Sequence, residues 1–274
     1  MQSSVGSLFA SHKSRNTCDP NADCVELLAG YTCKCIVGYF DVSPSVGLPE
    51  GRVCVLQTDC PKVKADIIFL LDGNGSIGPY SFKRSVMPFV KEFIKLFDIG
   101  RNKTRVGVIQ YASNKIRHEF DLDTFFDKQS AIDELDNVEL MMGITRTGAS
   151  IRHVARIGFS LERGARDPSV HGDVRRVCLV ITDGRSQDSV MEPVKEAAAA
   201  GVQLFAVGVT DHVLEEELHT IAGSKERYFL VDDFVDLDTR LRSVVQKVLC
   251  EARALRLAPG PAPDGVCDPK THDN

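Results

Sequence analysis

Three short polar loops carry the side chains of this chain that could do chemistry together. Asp72-Gly73-Asn74-Gly75-Ser76 follows an apolar run, Gly143-Ile144-Thr145-Arg146-Thr147-Gly148 precedes a helical pattern, and Thr182-Asp183-Gly184 closes a second apolar run. They offer carboxylate, hydroxyl and amide oxygens and neither thiol nor imidazole. An all-oxygen set suits hard cations: Mg²⁺, Mn²⁺ or Ca²⁺. Taken one at a time the same residues are ordinary local chemistry, with Gly73 and Gly75 as turn residues and Ser76, Thr145 and Asp183 as caps. Catalytic alternatives fit less well. Gly73-x-Gly75-x-x-Gly78 matches the dinucleotide fingerprint to the letter. However, Asp72 would set a carboxylate beside the pyrophosphate, and the strand pattern ending at Tyr111 to Ser113 supplies no acid for a ribose. The phosphate-cradling G-x-x-x-x-G-K-[ST] and the zinc motif H-E-x-x-H are both missing from the sequence. Asn74 to Gly78 is one residue off a nucleophile elbow. His153 reads as a helix-face residue and not a general base. The expectation is a protein that is not an enzyme.

Cysteines give the second chemical signal. Of nine, six fall early, at Cys18, Cys24, Cys33, Cys35, Cys54 and Cys60, and three are scattered at Cys178, Cys250 and Cys267. The early gaps of five, eight, one, eighteen and five residues lack the C-x2-C pairs of a zinc site. A dense early cluster reads as a disulfide framework made in an oxidising compartment. Met1 to Thr17 has no apolar core of a secretory signal. The chain is therefore expected to be a fragment or alternative product of a longer secreted protein. Cys178 sits inside an apolar run and is expected to be a reduced core residue.

These groups need elements to position them. The 274 residues are 43% hydrophobic and 26% charged, an ordinary globular balance. Lys and Arg total 33 against 38 Asp and Glu, a net charge of -5 that gives no general drive toward nucleic acid or anionic lipid. No apolar run approaches the ~20 residues of a membrane span. Ala65 to Leu71 is continuously apolar except for Asp66, as suits a strand buried on both faces of a parallel sheet. Arg105 to Tyr111, Val177 to Thr182, Val202 to Val209 and Tyr228 to Val231 are similar. Between them, Ser81 to Phe97 places Phe82, Val86, Phe89, Val90, Phe93, Ile94 and Phe97 on one helical stripe. Pro88 is expected to kink that helix near Ser85 to Met87. Gly148 to Phe159, Ser189 to Ala200, Leu214 to Ala222 and Val235 to Leu249 are further helix candidates. Alternating strands and helices give an α/β fold, a doubly wound, mostly parallel sheet flanked by helices. A small disulfide-rich module precedes it. In such sheets ligands bind at the carboxyl ends of the strands, where the polar loops fall.

The order of strand, D-G-N-G-S-I-G, T-R-T-G and I-T-D-G resembles a von Willebrand factor A (vWA) domain, of the matrilin and fibril-associated collagen type, over about residues 62 to 250. That resemblance implies a Rossmann-like fold and a metal-ion-dependent adhesion site built from D-x-S-x-S, a threonine and an aspartate. By position its ligands are Asp72, Asn74, Ser76, Thr145 and Asp183, with Mg²⁺ or Mn²⁺ as the expected cofactor and Ca²⁺ as a third candidate. Asn74 stands where the motif has serine. The longer amide is expected to weaken or abolish Mg²⁺ binding, because Mg²⁺ demands about 2.1 Å octahedral geometry. The implied function is a non-catalytic extracellular matrix adhesion module that binds matrix proteins such as collagens, with homo- or hetero-oligomers in the full-length protein. An intracellular scaffold of the same fold is the alternative.

The N-terminal string with Cys33-Lys34-Cys35 and Gly38-Tyr39 resembles an epidermal growth factor (EGF)-like repeat that lacks its first cysteine. The resemblance implies bridges Cys18–Cys33 and Cys35–Cys54 and leaves Cys24 without its usual partner. Cys267 has no evident mate and is one candidate for Cys24. In A domains of extracellular type the termini are close, which implies a Cys60–Cys250 bridge. The expected organisation is a disordered arm over 1–17, a partial EGF-like module over 18–59, the A domain over 60–250 and a Pro/Gly-rich tail over 251–274. Asn102-Lys103-Thr104 is a glycosylation sequon at a predicted surface loop. Asn74-Gly75-Ser76 is formally a second.

Overall fold

The computed structural model describes residues 17–28, 30–43, 47–56, 64–171, 174–209 and 213–231. These fall into two compact units, one within Met1–Gln57 and one within Thr58–Ala252.

The first unit has only a small core, Ala22, Cys33 and Cys54 with Tyr31 and Tyr39 packed against it, and is stapled by disulfides. Strands β1 (Ala22–Glu26) and β2 (Tyr31–Cys35) form one antiparallel pair, and β3 (Tyr39–Asp41) and β4 (Cys54–Leu56) form another. Cys18–Cys33 and Cys35–Cys54 are both bridged, the pairings implied by the EGF-like resemblance. Cys24 is disulfide-bonded as well. Asp41 holds the loop between β3 and β4 by accepting from the Ser43 and Gly51 amides at 3.0 and 2.8 Å. Cys60, Cys250 and Cys267, the Cys60–Cys250 bridge, the Val235 to Leu249 helix and the 251–274 tail lie outside the described residues.

The second unit is a six-stranded sheet in the order β10-β9-β8-β5-β6-β7. Its strands are β5 (Ala65–Asp72), β6 (Arg105–Ala112), β7 (Lys115–Phe120), β8 (Arg175–Thr182), β9 (Val202–Val209) and β10 (Tyr228–Val231). All pairings are parallel except β6 with β7, joined by a tight hairpin. Strand β5 is buried along its whole length, as its apolar run requires. Its side chains alternate between two cores. Ile68 and Leu70 join Ile109, Ile151, Val154, Val180 and Leu218 on one side. On the other, Phe69 meets Phe93 edge-on at 5.1 Å between ring centroids.

Helices α1 (Gly78–Ser81), α2 (Met87–Lys95), α3 (Lys128–Glu134), α4 (Thr147–His153), α5 (Met191–Ala199) and α6 (Glu215–Ala222) surround the sheet. Pro88 does not produce a plain kink. Lacking an N–H, it cannot continue the α-helical ladder, and Phe82–Val86 widens into a π-helical turn. Met87 N–H then reaches back to Phe82 O. Strand β7 and helix α3 escaped the sequence reading. β7 is half-exposed and mostly polar (Lys115, Arg117, His118, Glu119), so no apolar run marks it. Its partner β6 supplies the apolar face. Among the described residues no helix is long and apolar enough to cross a membrane.

Candidate functional site

The sheet order reverses between β5 and β8, which lie side by side with Leu71 opposite Ile181. The loops leaving these two strands diverge and open a crevice at their carboxyl ends. Asp72 is the last residue of β5 and Thr182 the last of β8. The third loop is brought in by β6. Ser113, held at a φ of 56° in the hairpin turn, donates its amide to Ile144 O at 2.8 Å. Gly143 permits this approach, because a Cβ there would stand 2.7 Å from Ser113 Oγ and 2.9 Å from Ala112 Cβ. Gly75 N–H completes the seam at 3.2 Å from Gly143 O.

The predicted residues converge. Thr145 Oγ1–H donates to Asp72 Oδ2 at 3.1 Å, and Thr182 Oγ1–H donates to the same oxygen at 2.7 Å. Asn74 N–H donates to Asp72 Oδ1 at 3.0 Å. Ser76 Oγ–H donates to Asp183 Oδ2. Asp72, Thr145 and Asp183 are buried, whereas Ser76 is exposed and forms the mouth. Burial pushes the Asp72 carboxyl up to about 7, and the nearby Asp183 charge adds to the effect against the hydrogen bonds from Thr182 and Thr145. Two carboxyl groups and two hydroxyls gathered from three loops are the kind of oxygen donors that a hard divalent cation takes.

Asn74 is placed differently from the other four. Its Oδ1 accepts the Ser76 amide at 3.1 Å, and its Nδ2 donates to Thr145 Oγ1 at 2.9 Å. A backbone N–H can only donate, so the oxygen of Asn74 is committed to the turn and its nitrogen faces the cluster. The amide of the formal Asn74 sequon is engaged in that contact. Asn102 lies exposed in the turn between α2 and β6.

A second set of residues, unmarked in the sequence reading, stitches two of the loops together. Asp188 accepts from the Gly148 and Ala149 amides at 3.0 and 2.8 Å, capping α4 from a distant segment. Ser186 Oγ accepts from Thr147 N–H at 3.0 Å and donates to Asp188 Oδ1 at 2.7 Å. Gln187 N–H reaches Thr145 O at 3.0 Å, and Ser186 N–H reaches Glu217 Oε1 of α6 at 2.9 Å. Gly148 must lack a side chain, since a Cβ would stand 2.2 Å from Ser189 O. Thr182, in the same loop as Asp183 but outside the motif residues, is a further hydrogen-bond donor to Asp72. The only sequence signal for the others was their position just after T-D-G.

His153 lies away from the cluster. Its Nε2 is 2.8 Å from His118 Nε2, and His118 Nδ1 is 2.5 Å from Asp121 Oδ1. Cys178 is free and fully buried in β8, and burial pushes its thiol up, away from the reactive thiolate. Beside the Asp183 loop a groove of about 370 Å³ is lined by Arg185, Gln187, Met191, Leu214, Glu216 and Thr220.

The family model for the von Willebrand factor type A domain matches residues 66–243. The transmembrane cell adhesion receptor mua-3 of Caenorhabditis elegans is 53% identical over 261 residues, covering 95% of this chain and 7% of that protein. Matrilin-2 of Mus musculus is 33% identical over 204 residues, covering 73% of this chain and 20% of that protein. The chain thus spans a minor part of these relatives. Among solved structures, proximal thread matrix protein 1 from the mussel byssus, with a zinc-occupied metal-ion-dependent adhesion site, superposes with a TM-score of 0.64 at 27% identity. It covers 69% of this chain and 48% of that one.

Proposed function

The chain belongs to the von Willebrand factor type A domain family, and on that premise we propose that it is a non-catalytic adhesion module of the extracellular matrix, docking partners over the Asp72–Thr145–Asp183 end of its sheet. The observation that carries the reading is the convergence of three separate loops on one oxygen-lined cluster, with Asp72 buried at its centre. A divalent cation, Mg²⁺ or Mn²⁺ with Ca²⁺ less favoured, would be held by Asp72, Ser76, Thr145 and Asp183 and would supply a Lewis-acid point for a carboxylate of the partner. The zinc-occupied site of the mussel protein supports a divalent ion in this position. Met142, Ile144, Met191 and Leu214 are exposed on the loops and helix starts at this end of the sheet and offer apolar contact area.

The same reading assigns 18–59 to a partial EGF-like spacer, 60–250 to the A domain with a Cys60–Cys250 closure, and 1–17 and 251–274 to flanking arms. Asn102 carries the glycan, and its exposed turn lies at the end of the sheet opposite Asp72. The partners are matrix proteins such as collagens, and oligomers form in the longer protein. Solid-phase binding of the purified chain to a panel of matrix proteins, with and without EDTA, tests the proposal. Saturable binding that Asp183→Ala removes is the expected result; equal binding by the variant would sink it.

A further inference from the structure

We propose that the side-chain amide of Asn74 acts as an internal stand-in for the cation, occupying Thr145 and thereby setting how tightly this chain binds a divalent ion. The inference rests on the metal-site reading above and concerns how that site is regulated.

The orientation of the amide is fixed chemically. Ser76 N–H needs an acceptor and finds Asn74 Oδ1 at 3.1 Å, so the other branch must be nitrogen. That nitrogen donates to Thr145 Oγ1 at 2.9 Å, and the Thr145 hydroxyl in turn donates a hydrogen bond to Asp72 Oδ2 at 3.1 Å. One of the two lone pairs of the Thr145 hydroxyl is thus already taken by an N–H donor. The position agrees. A Cβ built on Gly184, next to Asp183, would lie 3.5 Å from Asn74 Nδ2 and 3.7 Å from Thr145 Oγ1. The amide therefore sits between the Thr145 loop and the Asp183 loop.

A neutral N–H dipole imitates only part of a cation. It satisfies Thr145 but brings no full positive charge to the Asp72 and Asp183 carboxyl groups. An incoming ion would bring that charge, but first has to displace Nδ2 from Thr145. For Asn74 to serve as a ligand instead, its oxygen would have to abandon the Ser76 amide. Both routes cost a hydrogen bond that a serine at this position would not hold in the same way. The amide therefore competes with the ion.

A ligand and a competitor respond oppositely to truncation. Mn²⁺ is titrated by calorimetry into the full chain, Asn74→Ala, Asn74→Ser and Asp183→Ala, with circular dichroism confirming that each is folded and the Mn²⁺-induced shift in melting temperature as second readout. Asn74→Ala, which removes the amide and adds no oxygen, is expected to bind several-fold more tightly than the unaltered chain. Asn74→Ser is expected to gain about tenfold, the size of one hydrogen bond. Weaker or unchanged binding by both Asn74 variants, with binding still lost in Asp183→Ala, overturns the stand-in role and leaves the metal site intact. No binding by any folded protein overturns the metal site itself, and this inference with it.

Discussion

Arg166 grips Asp66 at the foot of β5, the strand whose other end carries Asp72. Arg166 Nε and Nη2 lie 2.9 and 2.7 Å from Asp66 Oδ1, the Arg166 amide lies 2.8 Å from Oδ2, and the side chains are 5% and 0% exposed. The segment entering β8 is thereby pinned to the start of the central strand. A buried pair of this kind adds little over an apolar replacement, but losing one member leaves the other charged and dry. Asp66→Ala is expected to cost about 3–5 kcal/mol in urea unfolding. Asp66→Ala combined with Arg166→Met, which removes both charges, is expected to cost less than Asp66→Ala alone.

Asp188 tests whether the loops are held in register. Its carboxylate accepts from the Gly148 and Ala149 amides, so Asp188→Ala removes the cap of α4. The expected loss of stability is about 1–2 kcal/mol. Because the same stitch fixes Thr145 beside the Asp183 loop, Mn²⁺ affinity should fall in parallel, measured by calorimetry on the folded variant. Unaltered affinity would confine Asp188 to stability.

Asp72 sets a pH dependence with a definite sign. Its carboxyl rises from 3.8 to about 7 on folding, so the folded chain favours the protonated form. The contribution is therefore complete below about pH 3.8 and is lost as pH rises through about 7, up to on the order of 4 kcal/mol. In EDTA the chain should melt lower at pH 7.5 than at pH 5. Asp72→Asn should flatten that difference, and saturating Mn²⁺ should reduce it.

Phe93 carries the packing of α2 on the sheet. It is fully buried, meets Phe69 at 5.1 Å and Phe97 at 5.2 Å between centroids. Phe93→Ala is expected to destabilise by about 3–5 kcal/mol, read from the urea midpoint. A cost below 1 kcal/mol would mean that α2 collapses into the space left.

The sequence by itself determined the α/β class, the five apolar strands and, among the described residues, the helices that became α2, α4, α5 and α6, because burial on both faces leaves a mark in composition that no polar loop imitates. It also placed Asp72, Ser76, Thr145 and Asp183 in one motif, and the C-x-C spacing carried a resemblance whose implied bridges Cys18–Cys33 and Cys35–Cys54 are present. Strand β7 was illegible, since an edge strand draws its order from β6 and shows no apolar pattern of its own. The answer to Pro88 was equally hidden: whether a helix bends or takes up a π turn depends on what its stripe must reach. The tertiary structure alone decided which atom of Asn74 faces Thr145, and that Asp188 caps a helix 40 residues earlier in the chain. Hydrogen-bond direction and long-range capping depend on three-dimensional neighbours, and a linear sequence records residue types without recording what they will meet.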